Sequence, residues 1–228
     1  MLIVLDPGHG GRDPGAVAYA LKEKDITLVL AQRAAFLLSA YEAEVLLTRY
    51  GDDDVDLSAR ADLANQKQAD FFCSLHVNAG GGTGFESYIH PAAAPRTKAL
   101  AQVVHAELAR FYLQRGLPDR GLKRANFAVL RETNMPAVLL ENLFIDHPRD
   151  AAFLADGTFL QDLAASLAFA LVKALGLKER STWDPAGEIR RLKGRGLITV
   201  DHDPQAPVTW GELATVLNRV LDRFGERG

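Results

Sequence analysis

The sequence contains a single cysteine, Cys73, and only two methionines and two tryptophans among its 228 residues. One cysteine excludes a disulfide framework within the chain, and this residue is predicted to be a buried core thiol. Three common catalytic patterns are also missing, namely the G-x-S-x-G elbow, the G-x-x-x-x-G-K phosphate loop and the G-x-G-x-x-G fingerprint. The sequence therefore gives no support for a serine-hydrolase elbow, a phosphate-binding loop or a dinucleotide-binding fingerprint.

Neither sign of charge dominates the sequence. Lysine and arginine total 26 against 29 aspartates and glutamates, which gives a net charge of −3, and 48% of the residues are hydrophobic. This composition is typical of a soluble globular protein, and so small a charge does not hold a chain on nucleic acid. No hydrophobic run approaches the roughly 18–20 residues that span a bilayer. We therefore expect no nucleic-acid partner and no membrane span.

Short hydrophobic runs alternate with helical patterns over the first three quarters of the sequence. Predicted strands lie at 2–5, 43–48, 70–76, 85–90, 127–131 and 136–142. Predicted helices lie at 25–40, 56–67 and 95–113, followed by a short and a long helix that end at Gly176. This order predicts an α/β fold with a largely parallel sheet. The acidic run GDDDVD (51–56) is predicted to be a solvated loop.

The composition changes after Gly176 and divides the chain. Residues 1–177 form the predicted first domain, 178–184 a polar linker and 185–228 a small helical C-terminal module. In this module Thr209 and Glu212 have the spacing of a capping box that begins a helix. The hydrophobic residues of that helix form one stripe: Leu213, Val216, Leu217, Val220 and Leu221. Because so small a module barely covers the stripe alone, we expect docking or dimerisation.

Four side chains that bind metals or move protons stand at the ends of predicted elements. His9 lies just past the first strand, His76 ends the third, Glu141 follows the run AVLL, and Glu23 precedes the first long helix. Ligands of open α/β sheets bind beyond the carboxyl ends of the strands. Parallel neighbouring strands would bring all four side chains to one edge of the sheet.

Two histidines and one carboxylate are a common shell for catalytic zinc, which leaves a fourth position for water. We therefore prefer His9, Glu23 and His76 as ligands and Glu141 as the group that transfers protons. Taken singly, His76 is also typical of a structural histidine, and Glu23 of a surface charge at a helix N-terminus. Glu141 is costly to bury after a hydrophobic run without a partner.

Five motifs occur in order: IVLDPGHGGRDPGA, KEKDITLVLAQR, ADFFCSLHVNA, GFESYIHP and ANFAVLRETNMPAVLLENLFIDHPRDAAFL. They resemble the zinc-dependent N-acetylmuramoyl-L-alanine amidases of the type-3 amidase family, over about residues 1–177. The resemblance implies a mixed sheet flanked by helices. It implies one zinc ion on His9, Glu23 and His76, with Glu141 as the catalytic residue. The implied reaction is hydrolysis of the amide bond between N-acetylmuramic acid and L-alanine in peptidoglycan.

The resemblance has one departure next to Glu141. The family often has Gly-Phe two residues after the catalytic glutamate, whereas this sequence has Leu143 before Phe144. We expect the change to reshape the floor of the site without affecting the chemistry. Asn78, in the family's H-x-N-A pattern, and Glu86 are predicted to border the substrate. A turn-capping role is the alternative for Asn78.

The tail EIRRLKGRGLITVDHDPQAPVTWGELATVLNRVLDR resembles a single S-layer-homology repeat. Such repeats usually bind secondary cell-wall polymers in sets of three. One copy is expected to bind these polymers weakly, to dock on the first domain or to form a homodimer. The first strand begins without a signal peptide, which predicts cytoplasmic synthesis and release to the cell wall at lysis, as for a phage or prophage endolysin. The alternative is export by a signal missing from this sequence.

Two other functions remain open at this stage. The first is a binding module that recognises wall fragments without cleaving them. The second is a zinc carboxypeptidase or endopeptidase that cuts within the peptide stem. The products of peptidoglycan digestion distinguish all three functions.

Overall fold

Six strands form one mixed sheet. In chain order they are β1 (Leu2–Pro7), β4 (Glu44–Leu47), β5 (Phe71–Asn78), β6 (Phe85–Ile89), β7 (Asp119–Arg124) and β8 (Ala137–Phe144). Across the sheet the order of the strands is β4-β1-β5-β8-β6-β7. A separate hairpin joins β2 (Val17–Ala18) to β3 (Leu21–Lys22). Strands β4, β1, β5 and β8 are parallel, whereas β6 runs antiparallel to β8 and parallel to β7. The predicted mostly parallel mixed sheet is confirmed.

This computed structural model describes residues 1–180, 185–194, 197–198 and 209–225. The chain divides into two compact units, Met1–Glu179 and Arg180–Gly228. The helices of the first unit are α1 (Glu23–Leu38), α2 (Leu57–Gln66), α3 (Pro95–Leu113), α4 (Ala128–Arg131), α5 (Pro148–Leu154) and α6 (Gly157–Leu175).

The helices of the first unit cover both faces of the sheet. Because side chains alternate along a strand, Leu5 and Cys73 enter the core beneath α1, α3 and α6, whereas Val4 and Phe72 enter a smaller core with α2 and α4. Cys73 is fully buried, as predicted. The even offset between Phe72 and His76 places the histidine on the face with the smaller core.

The sequence-based assignment is wrong at two segments between α3 and β8. The predicted strand 127–131 is the one-turn helix α4, and short hydrophobic runs do not distinguish a buried strand from a buried helix. Strand β7 was not predicted, because its sequence DRGLKR has neither a hydrophobic run nor an alternating pattern. Its place at the sheet edge explains the polar composition, since edge strands tolerate charged side chains.

Helix α6 corrects the expectation about long hydrophobic segments. Its 19 residues, Gly157–Leu175, are long and hydrophobic enough to cross a bilayer by length and composition alone. The helix packs against α1 and α3, and Leu163, Leu167 and Leu171 are buried there. Burial in the core therefore accounts for its hydrophobicity. Gly176 ends the helix with a left-handed φ of 63°, as the sequence predicted.

The second unit contains α7 (Pro185–Gly194) and α8 (Trp210–Gly225). Thr209 and Glu212 form the predicted capping box, in which the Thr209 N–H donates to Glu212 Oε2 at 2.8 Å. Along α8, Leu213, Leu217 and Leu221 are 40%, 51% and 65% exposed. Most of the predicted linker, 181–184, and residues 195–196 and 199–208 lie outside the described residues.

Candidate metal centre

The ends of β1 and β5 and the start of α1 bring three potential metal ligands together. His9 follows β1, His76 lies near the end of β5, and Glu23 is the first residue of α1. One ligating atom from each residue lies within 4.8 Å of the other two. Because β1 and β5 are parallel neighbours, their carboxyl ends meet at one edge of the sheet, as the sequence argument required.

One oxygen of Glu23 faces both histidine rings. Glu23 Oε1 lies 3.1 Å from His9 Nε2 and 2.9 Å from His76 Nδ1. It also accepts a hydrogen bond from the Val77 N–H at 2.9 Å, while Oε2 accepts one from the Ala16 N–H at 2.9 Å. The side chain is buried in α1's first turn. These contacts fix the carboxylate between the two rings.

The electrostatics of the cluster favour a cation. Burial opposes protonation of His9, but Glu23 and then Asp13 outweigh it and raise the pKa of His9 to about 9. Burial also opposes ionisation of Glu23, yet the hydrogen bonds from His76 and His9 hold its pKa well below the usual range. The cluster therefore stabilises positive charge at its centre. Two imidazoles and one carboxylate are donors that zinc accepts, so the residues present fit this metal.

Glycine is required where the loop after β1 passes the ligands. A Cβ atom on Gly8 would lie 2.4 Å from His76 Cε1, and one on Gly15 would lie 2.6 Å from Glu23 Oε2. Gly15 also has a φ of 65°, a conformation that glycine adopts without strain. His9 itself adopts a left-handed φ of 62°. The loop conformation thus places the His9 ring over Glu23.

We expect Gly8→Ala to weaken zinc binding while the protein still folds. The new methyl group must displace the His76 ring, and misplacing a ligand in this way lowers metal affinity by about 10- to 100-fold. Zinc affinity is measured by competition with a chelator, and folding by the melting temperature. Gly157→Ala is the matched control, because a Cβ atom there meets nothing within 4 Å. Wild-type affinity in Gly8→Ala would contradict this account.

The acidic run 51–56 is a mostly exposed loop, as predicted, and it also binds the backbone of the loop around His9. Asp52 and Asp54 accept hydrogen bonds from the N–H groups of Gly11 and Arg12 at 2.8 and 3.0 Å. Both side chains remain largely exposed. The run therefore anchors the loop that carries the first histidine.

Asp13 orients the His9 ring. Its Oδ2 atom lies 2.7 Å from His9 Nδ1, on the opposite side of the ring from Glu23. A carboxylate on the second ring nitrogen fixes the orientation of a ligand histidine and makes it a better donor. The sequence argument did not single out Asp13, since an aspartate beside glycine and proline is also typical of a turn.

Two buried arginines also hold the loop and were not predicted. Arg49 is 2% exposed and donates to the carbonyl oxygens of Pro7, Gly8 and Lys24 at 2.7–3.1 Å. It lies just past a predicted strand, so the strand-end argument that found the histidines applies to it as well. Arg60 lies within α2 and gives no such signal.

Glu141 stands opposite His76 on the adjacent strand β8. Its Oε2 atom is one of two buried side-chain oxygens without a hydrogen-bond partner among the described residues. Burial raises the pKa of Glu141 to about 7; His76 acts in the other direction, and the negative charges of Glu23 and Glu86 add to the rise. An unpaired carboxylate with this pKa gives and takes protons near neutral pH.

Glu86 lies on β6, the neighbour of β8 on the side away from β5, and pairs with Glu141. Glu86 as a whole is 3% exposed, and its carboxylate accepts four hydrogen bonds from protein side chains, one of them from Asn78 Nδ2 at 2.8 Å. Glu86 therefore lies beside Glu141 and Asn78 contacts Glu86, but neither residue lines the cleft that opens on the metal ligands. Glu86 is turned toward protein donors, and Asn78 also accepts the N–H of Ala79 through its own side chain.

Leu143, at a position where the family often has glycine, lies in a bulge of β8 and has an unusual backbone conformation. The register between β5 and β8 shifts after the His76–Glu141 pair, so that Asn78 pairs with Phe144. Within this bulge Leu143 adopts a φ of 71°, which explains why glycine is common at the position. The Leu143 side chain is fully buried in the core, on the far side of the sheet from Glu141. The substitution therefore leaves the catalytic face unchanged.

A cleft of about 450 Å³ opens on the metal ligands and Glu141. The loop around His9 and the acidic run form one wall, and α4 with Phe127 forms another. The side chains of His9 and His76 are 24% and 18% exposed. A substrate bound in this cleft therefore reaches the metal ligands.

Comparison with known proteins gives a family match over residues 3–173, to Amidase_3, described as N-acetylmuramoyl-L-alanine amidase. The chain is 45% identical over 181 residues to the N-acetylmuramoyl-L-alanine amidase CwlM of Bacillus licheniformis, covering 78% of this chain and 70% of the relative. It is 44% identical over 214 residues to the endolysin of Bacillus phage SPP1, covering 92% of this chain and 79% of the endolysin.

A solved structure shares the fold. The catalytic domain of CwlV, an N-acetylmuramoyl-L-alanine amidase from Bacillus (Paenibacillus) polymyxa var. colistinus, superposes with a TM-score of 0.72 at 35% identity. The match covers 78% of this chain and 99% of that domain. The family resemblance found in the motifs is confirmed. The chain belongs to the N-acetylmuramoyl-L-alanine amidase family.

Proposed function

We propose that this protein is a zinc-dependent enzyme that hydrolyses the amide bond between N-acetylmuramic acid and L-alanine in peptidoglycan. Family membership supports the bond and the substrate. The observation that carries the proposed mechanism is the unpaired Glu141 oxygen, next to a cluster in which His9, Glu23 and His76 fit one zinc ion.

The metal ligands, Glu141 and the cleft have separate roles in the proposed reaction. When bound, zinc supplies a water molecule of lowered pKa and polarises the carbonyl that is attacked. The Glu141 carboxylate takes the proton of the attacking water and then gives it to the departing nitrogen of L-alanine. Its raised pKa suits both steps near neutral pH. The adjacent cleft holds the remainder of the substrate.

Product analysis tests this proposal. Purified peptidoglycan is digested with zinc-loaded protein, and the soluble products are identified by mass spectrometry. We expect stem peptides with a new N-terminal alanine and one zinc ion per chain. Removal of zinc with a chelator is expected to stop product formation, and added zinc is expected to restore it. Cuts within the stem would instead indicate a carboxypeptidase or endopeptidase. A protein with one bound zinc and no products would be a binding module.

The second unit is proposed to act as a targeting or assembly module. Its helix α8 exposes Leu213, Leu217 and Leu221, and the similarity to a phage endolysin extends over 92% of the chain. Wall polymers or a second copy of the chain are the proposed partners, and the cell wall at lysis is the proposed place of action. Sedimentation of the full chain, alone and with purified walls, distinguishes dimerisation from wall binding.

A further inference from the structure

Glu86 organises a cluster of donors beside Glu141. Its Oε2 atom accepts hydrogen bonds from Arg120 Nε and Lys123 Nζ, each at 2.6 Å. Its Oε1 atom accepts bonds from Asn78 Nδ2 at 2.8 Å and from the Tyr88 hydroxyl at 2.6 Å. All four donors converge on one carboxylate, so the arrangement is fixed by the fold.

The cluster has an excess of positive charge that faces solvent. Two cations share one carboxylate, and the Arg120 and Lys123 side chains are 37% and 38% exposed, whereas that of Glu86 is 4% exposed. Among the described residues, Arg120 donates a hydrogen bond to Glu86 through Nε, and Lys123 donates one through its ammonium group. The other donors of both groups are available to an anion.

The position of the cluster relative to Glu141 suggests which anion it binds. Glu86 pairs with Glu141 across β6 and β8, and β7, which carries both cations, is the next strand. Strands are about 4.8 Å apart, so β7 lies about 10 Å from β8. Two extended residues span about 7 Å, and the long cationic side chains cover the rest. A carboxylate two residues beyond the scissile bond therefore reaches the cluster.

We propose that Arg120 and Lys123, held in place by Glu86, bind the free α-carboxylate of the second residue of the peptide stem. This inference rests on the proposed amidase function. A glutamate joined through its side-chain carboxyl group leaves its α-carboxylate free, whereas isoglutamine carries a neutral amide there. The cluster then selects stems by the charge of their second residue. Each cation contributes a charge-assisted hydrogen bond that the amide cannot match.

A competition experiment measures this selectivity. Zinc-loaded full-length protein digests a mixture of two purified peptidoglycans, one with glutamate and one with isoglutamine at the second position. Mass spectrometry of the stems released early gives the ratio of the two kcat/KM values. We expect the wild type to prefer glutamate by about tenfold or more, and Arg120→Met and Lys123→Met each to reduce this preference by about tenfold.

The variants are chosen to keep the fold. Each single substitution leaves Glu86 with one cation and two neutral donors, and the melting temperature verifies folding. Arg124→Met is the matched control, since Arg124 is exposed on the same strand but points to the opposite face from Lys123. We expect it to retain the wild-type ratio.

The outcomes separate this inference from the function on which it rests. Equal release of both stems by the wild type, or an unchanged ratio in both methionine variants, would overturn the carboxylate subsite and leave the amidase intact. Release of neither stem by zinc-loaded protein would refute the amidase function, and this inference with it. A ratio that falls only in the two variants supports the subsite.

Discussion

Glu141→Gln is expected to reduce the rate of peptidoglycan hydrolysis by about 10²- to 10⁴-fold, because the amide neither accepts nor donates the proton that the reaction moves. The side chain is not one of the three clustered ligands, so zinc content is expected to stay at one per chain. We expect the melting temperature to stay equal or to rise, since the substitution removes a buried carboxylate without a partner. Release of stem peptides, bound zinc and melting temperature are measured on the same preparation.

Two further variants show whether a lost rate in Glu141→Gln comes from lost proton transfer or from lost zinc. Glu23→Gln changes a proposed ligand and is expected to lose both zinc and activity, which separates ligand loss from proton-transfer loss. Glu132→Gln is the control at an exposed glutamate and is expected to leave both unchanged. If Glu141→Gln kept more than about a tenth of the wild-type rate, another group would have to move the proton.

Arg60→Met is expected to lower the free energy of unfolding by about 3–5 kcal/mol, because it leaves a buried carboxylate without its cation. Arg60 is 3% exposed and lies 2.8 Å from Asp6, which is fully buried. Its guanidinium also donates to the carbonyl oxygens of Pro7 and His9, each at 2.8 Å. Urea denaturation at neutral pH measures the loss. We also expect weaker zinc binding, because the loop that carries His9 loses this support.

Two controls identify the cause of the loss. In Asp6→Asn/Arg60→Met the buried charge is absent, so we expect the double variant to be more stable than Arg60→Met alone. Arg131→Met removes a more exposed pair with Glu132 and is expected to cost at most about 1 kcal/mol. A cost for Arg60→Met no larger than that for Arg131→Met would show that the buried pair does not stabilise the fold.

Much of the secondary structure was predictable from local pattern. The hydrophobic runs at β1, β5 and β8 have the length and composition of strands buried on both faces. The end of α6 follows from a single glycine, and the start of α8 from a capping pair. His9, His76 and Glu141 were found because polar residues that follow such strands collect at one edge of a parallel sheet.

The sequence by itself determined the α/β class, the strands that carry the site, and the residue types at their ends, because these depend on periodicity and on the order of elements along the chain. Only the tertiary structure decided that α4 is a helix, that the acidic run holds the His9 loop, and that Glu86 joins Arg120 and Lys123. These features depend on contacts between residues far apart in the sequence, such as Gly11 with Asp52, 41 positions apart, and Glu86 with Arg120, 34 positions apart. No local pattern encodes such pairs, since burial and charge balance are set only when distant segments pack together.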